Sequence, residues 1–128
     1  MQDLVHECKG NPKWSSRKIA LIGFSLGASV ALAAGSQEVP VTAIADWYGS
    51  LPDEFFNKLK GMPPLLILHG QLDEVIPIVN AQQLVRLCGM KQFTCESHFY
   101  PDQGHGFKGN ALDDADKRTI DFFSRMLK

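Results

Sequence analysis

Gly23-Phe24-Ser25-Leu26-Gly27 lies between two stretches of different character. Lys18-Ile19-Ala20-Leu21-Ile22-Gly23 reads as a buried strand. Leu26 to Ala34 is rich in small helix formers and stops at Gly35. A strand that turns directly into a helix leaves little room at the corner. Glycines two positions before and two after Ser25 remove side chains that would crowd such a turn. The Ser25 hydroxyl then stands clear of the backbone, at the C-terminal edge of a sheet. Leu26 N–H, at the helix N-terminus, can point at a developing oxyanion. A glycine-rich turn carrying an ordinary serine is the plain alternative, since G-x-S-x-G recurs by chance. The strand before it and the helix after it favour the strained nucleophile turn.

The same alternation continues down the chain. Val41 to Trp47 reads as a second strand. A loop from Gly49 to Pro64 follows, with one helical turn near Asp53-Glu54-Phe55-Phe56. Leu65-Leu66-Ile67-Leu68-His69 is apolar almost throughout, as a strand covered on both faces should be. Ile78 to Cys88 is a helix, with Ala81, Leu84, Val85 and Cys88 at helical spacing and Gly89 at the cap position. Phe93 to Tyr100 is the fourth strand. Leu112 to Leu127 is the last helix, with Ile120, Phe123 and Leu127 as its expected inner stripe. Residues 2–9 are expected to form a short helix, ended by Gly10-Asn11-Pro12. Strands alternating with helices predict an α/β fold, with four parallel strands and crossover helices in one domain over 1–128.

Composition excludes several roles. The 128 residues carry 13 basic and 14 acidic side chains, a net charge of -1, which gives no electrostatic case for nucleic acid or an acidic membrane. No stretch approaches the ~18 apolar residues of a membrane span. The N-terminal residues are too polar for a signal peptide. Cys8, Cys88 and Cys95 are odd in number and form no C-x-x-C, so free thiols and a reducing, cytoplasmic setting are expected. No motif calls for a metal or a cofactor.

A serine hydroxyl needs a base within hydrogen-bond reach. Of four histidines, His6 precedes the Ser25 turn, His69 ends a strand and is expected to bond locally, and His98 lies inside a strand. His105, in Gly104-His105-Gly106-Phe107, follows the last strand in a loop whose glycines can place the imidazole over Ser25. A surface-loop histidine is the alternative. An acid must hold the imidazole in one tautomer. Asp73 follows the third strand in His69-Gly70-Gln71-Leu72-Asp73 and reaches the same sheet edge. Asp46 is its main rival and Glu74 the next. A helix-capping role before Pro77 is the bland reading of Asp73. Trp47, Tyr48 and Phe55, with Leu51 and Phe56, are candidates to line an acyl pocket, or else core residues.

Taken together, Gly23-Phe24-Ser25-Leu26-Gly27, Trp47-Tyr48-Gly49, His69-Gly70 with Asp73 and Pro77, and Tyr100 leading to His105-Gly106-Phe107 resemble the dienelactone hydrolase family of α/β-hydrolases. The resemblance covers nearly the whole chain. It implies that Ser25, Asp73 and His105 take the triad positions, in the order Ser, Asp, His. Founding members carry cysteine at the nucleophile position, and serine members are mostly esterases. The implied substrate is therefore a small carboxylic ester, cleaved through an acyl-enzyme. A prolyl-oligopeptidase-type serine peptidase shares the residue order, and a non-catalytic interaction module is the other alternative. The resemblance also implies a truncated α/β-hydrolase fold. The family's amino-terminal strands, with one oxyanion donor, would lie outside this chain. The Ser25 strand would then be an open edge, for a homodimer to cover.

Overall fold

A computed structural model describes residues 18–37 and 39–128. The helix expected over residues 2–9, with His6 and Cys8, lies outside the described residues. Four strands, β1 (Ala20–Phe24), β2 (Ala43–Trp47), β3 (Leu65–Gly70) and β4 (Cys95–Tyr100), form one parallel sheet in the order β1-β2-β3-β4. The helices are α1 (Leu26–Gly35), the short α2 (Asp53–Phe56), α3 (Ile78–Lys91) and α4 (Asn110–Met126).

The sheet is covered on both sides, and the side-chain period of two sorts the central strands between them. Ile44, Leu65 and Ile67 face Ala31 and Leu32 of α1 and Ala81, Leu84 and Cys88 of α3. Ala43, Ala45, Trp47, Leu66 and Leu68 face Ala115 and Phe122 of α4. Every residue of β2 and β3 is buried, which explains why both are apolar but for Asp46 and His69. Three successive right-handed crossovers advancing one strand at a time put α1, α2 and α3 on a single face. The chain then reverses, and α4 seals the other face.

Three expectations are corrected. First, the inner stripe of α4 is Ala115, Thr119 and Phe122, all buried; of the expected stripe Phe123 packs against this core, whereas Ile120 and Leu127 are exposed. Thr119 belongs to that face because its hydroxyl accepts the Trp47 indole N–H at 3.0 Å and donates to Ala115 O. Secondly, α3 runs past Gly89, and its left-handed cap is Gln92, at φ 59°. Phe93 N–H donates to Cys88 O and Gln92 N–H to Gly89 O, so the closing pair of hydrogen bonds forms without a cap glycine. Thirdly, Cys88 and Cys95 are not free thiols. The helix-to-strand turn between them sets their Cα atoms 6.2 Å apart, and they form a disulfide. The reducing setting inferred from free thiols loses that support. Among the described residues no helix is long and apolar enough to cross a membrane.

Candidate active site

All four strands end at one edge, and the loops that leave it stay hydrogen-bonded to one another. Ser25 N–H donates to Trp47 O, Tyr48 N–H to Leu68 O, Gln71 N–H to Tyr100 O, and Leu72 N–H to Gln103 O. Parallel pairing thus continues past the strands and fixes the loop bases. Gly70 matters here because the His105 loop crosses against it. A Cβ on Gly70 would stand 2.3 Å from Gln103 O.

Ser25 occupies the corner between β1 and α1, with φ 55° and ψ −119°. That is a strained backbone for a residue with a side chain. Gly23 makes the corner possible, because a Cβ there would lie 2.5 Å from the Ala28 Cα. Gly27 does not share this duty, since a Cβ at that position would meet nothing within 4 Å. As the first residue of α1, Leu26 has no carbonyl one turn back, so its N–H is left for another acceptor.

Ser25 Oγ lies 2.7 Å from His105 Nε2, and His105 Nδ1 lies 2.8 Å from Asp73 Oδ2. The Asp73 side chain is wholly buried, and that of His105 is 21% exposed. A carboxylate only accepts, so Nδ1–H donates to Asp73 and the bare Nε2 accepts the Ser25 proton. Asp73 Oδ1 takes the Val75 and Ile76 N–H groups at 2.9 and 2.8 Å. Burial pushes the Asp73 carboxyl up. The bonds from His105 and from the Ile76 and Val75 backbone outweigh it and hold the group below its ordinary value. The helix-cap reading of Asp73 does not hold, because α3 begins at Ile78 with Pro77 at its cap and no side-chain cap bond; Oδ1 closes the loop before the helix while Oδ2 reaches His105. Of the glycines beside His105, Gly106 alone takes a left-handed φ, 109°.

The rival groups are placed elsewhere. Asp46 is fully buried, with Oδ1 accepting Gly49 N–H at 2.8 Å and Oδ2 without a hydrogen-bond partner. Glu74 is exposed. His98 sits in β4 against Tyr100, with ring centroids 4.7 Å apart. His69 is buried and bonds Ile76 O through Nε2.

Among the pocket candidates, Tyr48 alone meets the relay. Its ring lies edge-on to His105, centroids 4.9 Å apart, and its backbone holds a left-handed φ of 46°. Burial, and the Asp73 charge, push its phenol up. Trp47 is 4% exposed and packs under the site. Leu51, Phe55 and Phe56 belong to the core on the α1–α3 face. From the sequence Phe107 figured only in the His105-Gly106-Phe107 motif, with no role of its own. It packs on Tyr48, Trp47 and Tyr100, and so anchors the His105 loop. An aromatic two residues beyond the proposed base was the available signal. A groove of about 410 Å³ between α2 and α3, lined by Phe56, Arg86, Leu87 and Met90 among others, includes none of the three relay residues.

Comparison with known proteins gives the same architecture. A protein assigned as a carboxymethylenebutenolidase in Methylorubrum extorquens is 26% identical over 96% of this chain and 49% of its own length. The chain spans about half the length of the curated relatives it matches. The crystal structure of esterase PE8 is 26% identical, with a TM-score of 0.71 over 93% of this chain and 55% of that one. The dienelactone hydrolase-like promiscuous phosphotriesterase P91, from metagenomic libraries, shares the fold at a TM-score of 0.82 and 16% identity, over 99% of this chain and 60% of that one. The model of the dienelactone hydrolase family matches residues 1–128, and the chain belongs to that family.

Proposed function

We propose that this chain hydrolyses small carboxylic esters through an acyl-enzyme on Ser25. The observation supporting this reading is the unbroken hydrogen-bonded line from Ser25 Oγ through both nitrogens of His105 to Asp73. In the proposed reaction His105 Nε2 takes the Ser25 proton as Oγ attacks the ester carbonyl. The imidazolium then returns that proton to the departing alcohol, leaving an acyl-serine. A water molecule, deprotonated by the same Nε2, releases the acid and restores the hydroxyl. Asp73 stays ionised and holds the ring. Leu26 N–H would donate to the tetrahedral oxyanion; one such donor is worth on the order of a hundredfold in rate.

Fluorophosphonate labelling tests the assignment. The expected result is one adduct on Ser25, lost in Ser25→Ala and slowed at least a hundredfold in His105→Ala. Well-folded protein that takes no label would turn the reading toward a non-catalytic interaction module. Turnover of short p-nitrophenyl esters over chromogenic peptides separates an esterase from a peptidase.

We also propose that a second copy covers the β1 edge. Ile22 and Phe24 are 44% and 48% exposed on that strand, which among the described residues pairs with β2 alone. The opposite edge strand, β4, is instead guarded by charge, with Glu96 held by Arg125 at 2.6 and 2.7 Å. Cytoplasmic residence rested on free thiols. The Cys88–Cys95 bond fits an oxidising compartment better.

A further inference from the structure

His69 is wholly buried at the end of β3, and the proposed reaction gives it no part. Its Nε2 lies 2.6 Å from Ile76 O and 3.3 Å from Asp73 Oδ2. A carbonyl oxygen only accepts, so Nε2 carries the proton and the tautomer is fixed. His69 Nδ1 is buried with no hydrogen-bond partner among the described residues. A second proton there would create an unpaired buried donor. Burial also pushes the imidazole down, against the opposing pull of Ile76 O and Asp73. The ring is a neutral donor that can give only through Nε2.

We propose that His69 is a positioning residue for the acid of the relay, its Nε2–H shared between Ile76 O and Asp73 Oδ2. The inference rests on the esterase reading and deepens it. Three hydrogen bonds meet the Asp73 carboxylate, from Val75 and Ile76 N–H on Oδ1 and from His105 Nδ1–H on Oδ2, while His69 Nε2, whose hydrogen bond goes to Ile76 O, stands 3.3 Å from Oδ2 as a fourth polar neighbour. A carboxylate offers four lone-pair sites, so one on Oδ2 is left toward which the His69 N–H can lean. The fourth neighbour has two effects. It stops the carboxylate from twisting, so Oδ2 keeps its aim on His105. It also draws charge from the oxygen that holds the His105 proton, so the imidazolium is stabilised less. By gripping Ile76 O as well, His69 ties the loop carrying Asp73 to the strand from which it departs. The titratable side chains facing Asp73 are His69, His105 and Tyr48.

The test is the pH profile of kcat/KM for a short p-nitrophenyl ester. His69→Leu removes the donor. It should move the midpoint of the acid limb to higher pH and lower kcat/KM about tenfold, with KM little changed. His69→Asn should do the same, because its short amide cannot reach the Nε2 position. His69→Gln, whose amide N–H extends that far, should bring the midpoint back. A merely structural role would lower the amount of active enzyme in all three and leave the midpoint where it is, overturning the proposal. Nitrogen chemical shifts of the unaltered protein provide a check independent of variant folding. An Nε2–H tautomer at His69 whose proton shifts in Asp73→Asn supports the inference, and an Nδ1–H tautomer overturns it. Absence of ester turnover and of labelling in the unaltered protein would instead defeat the functional reading.

Discussion

Asp46 and Asp73 are both buried, and their surroundings push them in opposite directions. Asp73 has donors on both oxygens and is held low, whereas Asp46 has one backbone donor and is pushed up to about 7 by burial. The sign of its effect on stability follows. Between the ordinary value of 3.8 and about 7, unfolded chains ionise Asp46 and folded ones do not. Stability present below that range is lost as pH rises through it, by at most about 1.4 kcal/mol per pH unit. Asp73 acts with the reverse sign, its contribution disappearing as pH falls below the ordinary carboxylate value. Asp46→Asn keeps an acceptor for Gly49 N–H and cannot ionise. Urea denaturation at pH 4 to 8 should show the falling slope in the unaltered protein and a flatter one in the variant. Equal slopes would contradict this account of Asp46. From sequence the two aspartates were rivals for one role, Asp46 near the end of the second strand and Asp73 in the loop after the third. Donor count decided between them, and donors come from backbone that the sequence does not display.

At the scale of elements, the two central strands were legible because complete burial writes a largely apolar run. The Ser25 corner was legible because its strand and helix adjoin. The face of α4 was not. Ile120, Phe123 and Leu127 make a helical stripe as regular as Ala115, Thr119 and Phe122, but the second lies against the sheet and only Phe123 of the first packs beside it. Its small residues bring the helix close, and its one hydroxyl satisfies the Trp47 indole. Apolar periodicity alone misplaces such a face by about one residue. Chemical denaturation should therefore give about 3–5 kcal/mol lost in Phe122→Ala, and within about 0.5 kcal/mol of no change in Ile120→Ala. The reverse ranking would restore the stripe read from the sequence. The Cys88–Cys95 bond was likewise hidden, because a seven-residue separation across a helix cap matches no familiar cysteine spacing.

For the molecule as a whole, strand order explains both the site and the exposed edge. Sequential parallel strands bring the ends of β1, β3 and β4 to one rim, where Ser25, Asp73 and His105 leave it. Among the described residues, the same order leaves β1 with a neighbour on one side only. Pairing of two β1 edges about a twofold axis would be self-complementary. Light scattering at high concentration should give the mass of two chains, falling to one in Ile22→Lys. A monomer in the unaltered protein would contradict the proposed dimer while leaving the relay intact.

The relay itself is open to direct observation by proton NMR. A strongly downfield proton on His105 Nδ1 is predicted, absent in His105→Gln and in Asp73→Asn but present in Ser25→Ala, because the bond to Asp73 does not depend on the hydroxyl. If no such proton is found, or one persists in Asp73→Asn, then the histidine is not held by that carboxylate and the assembled site does not exist.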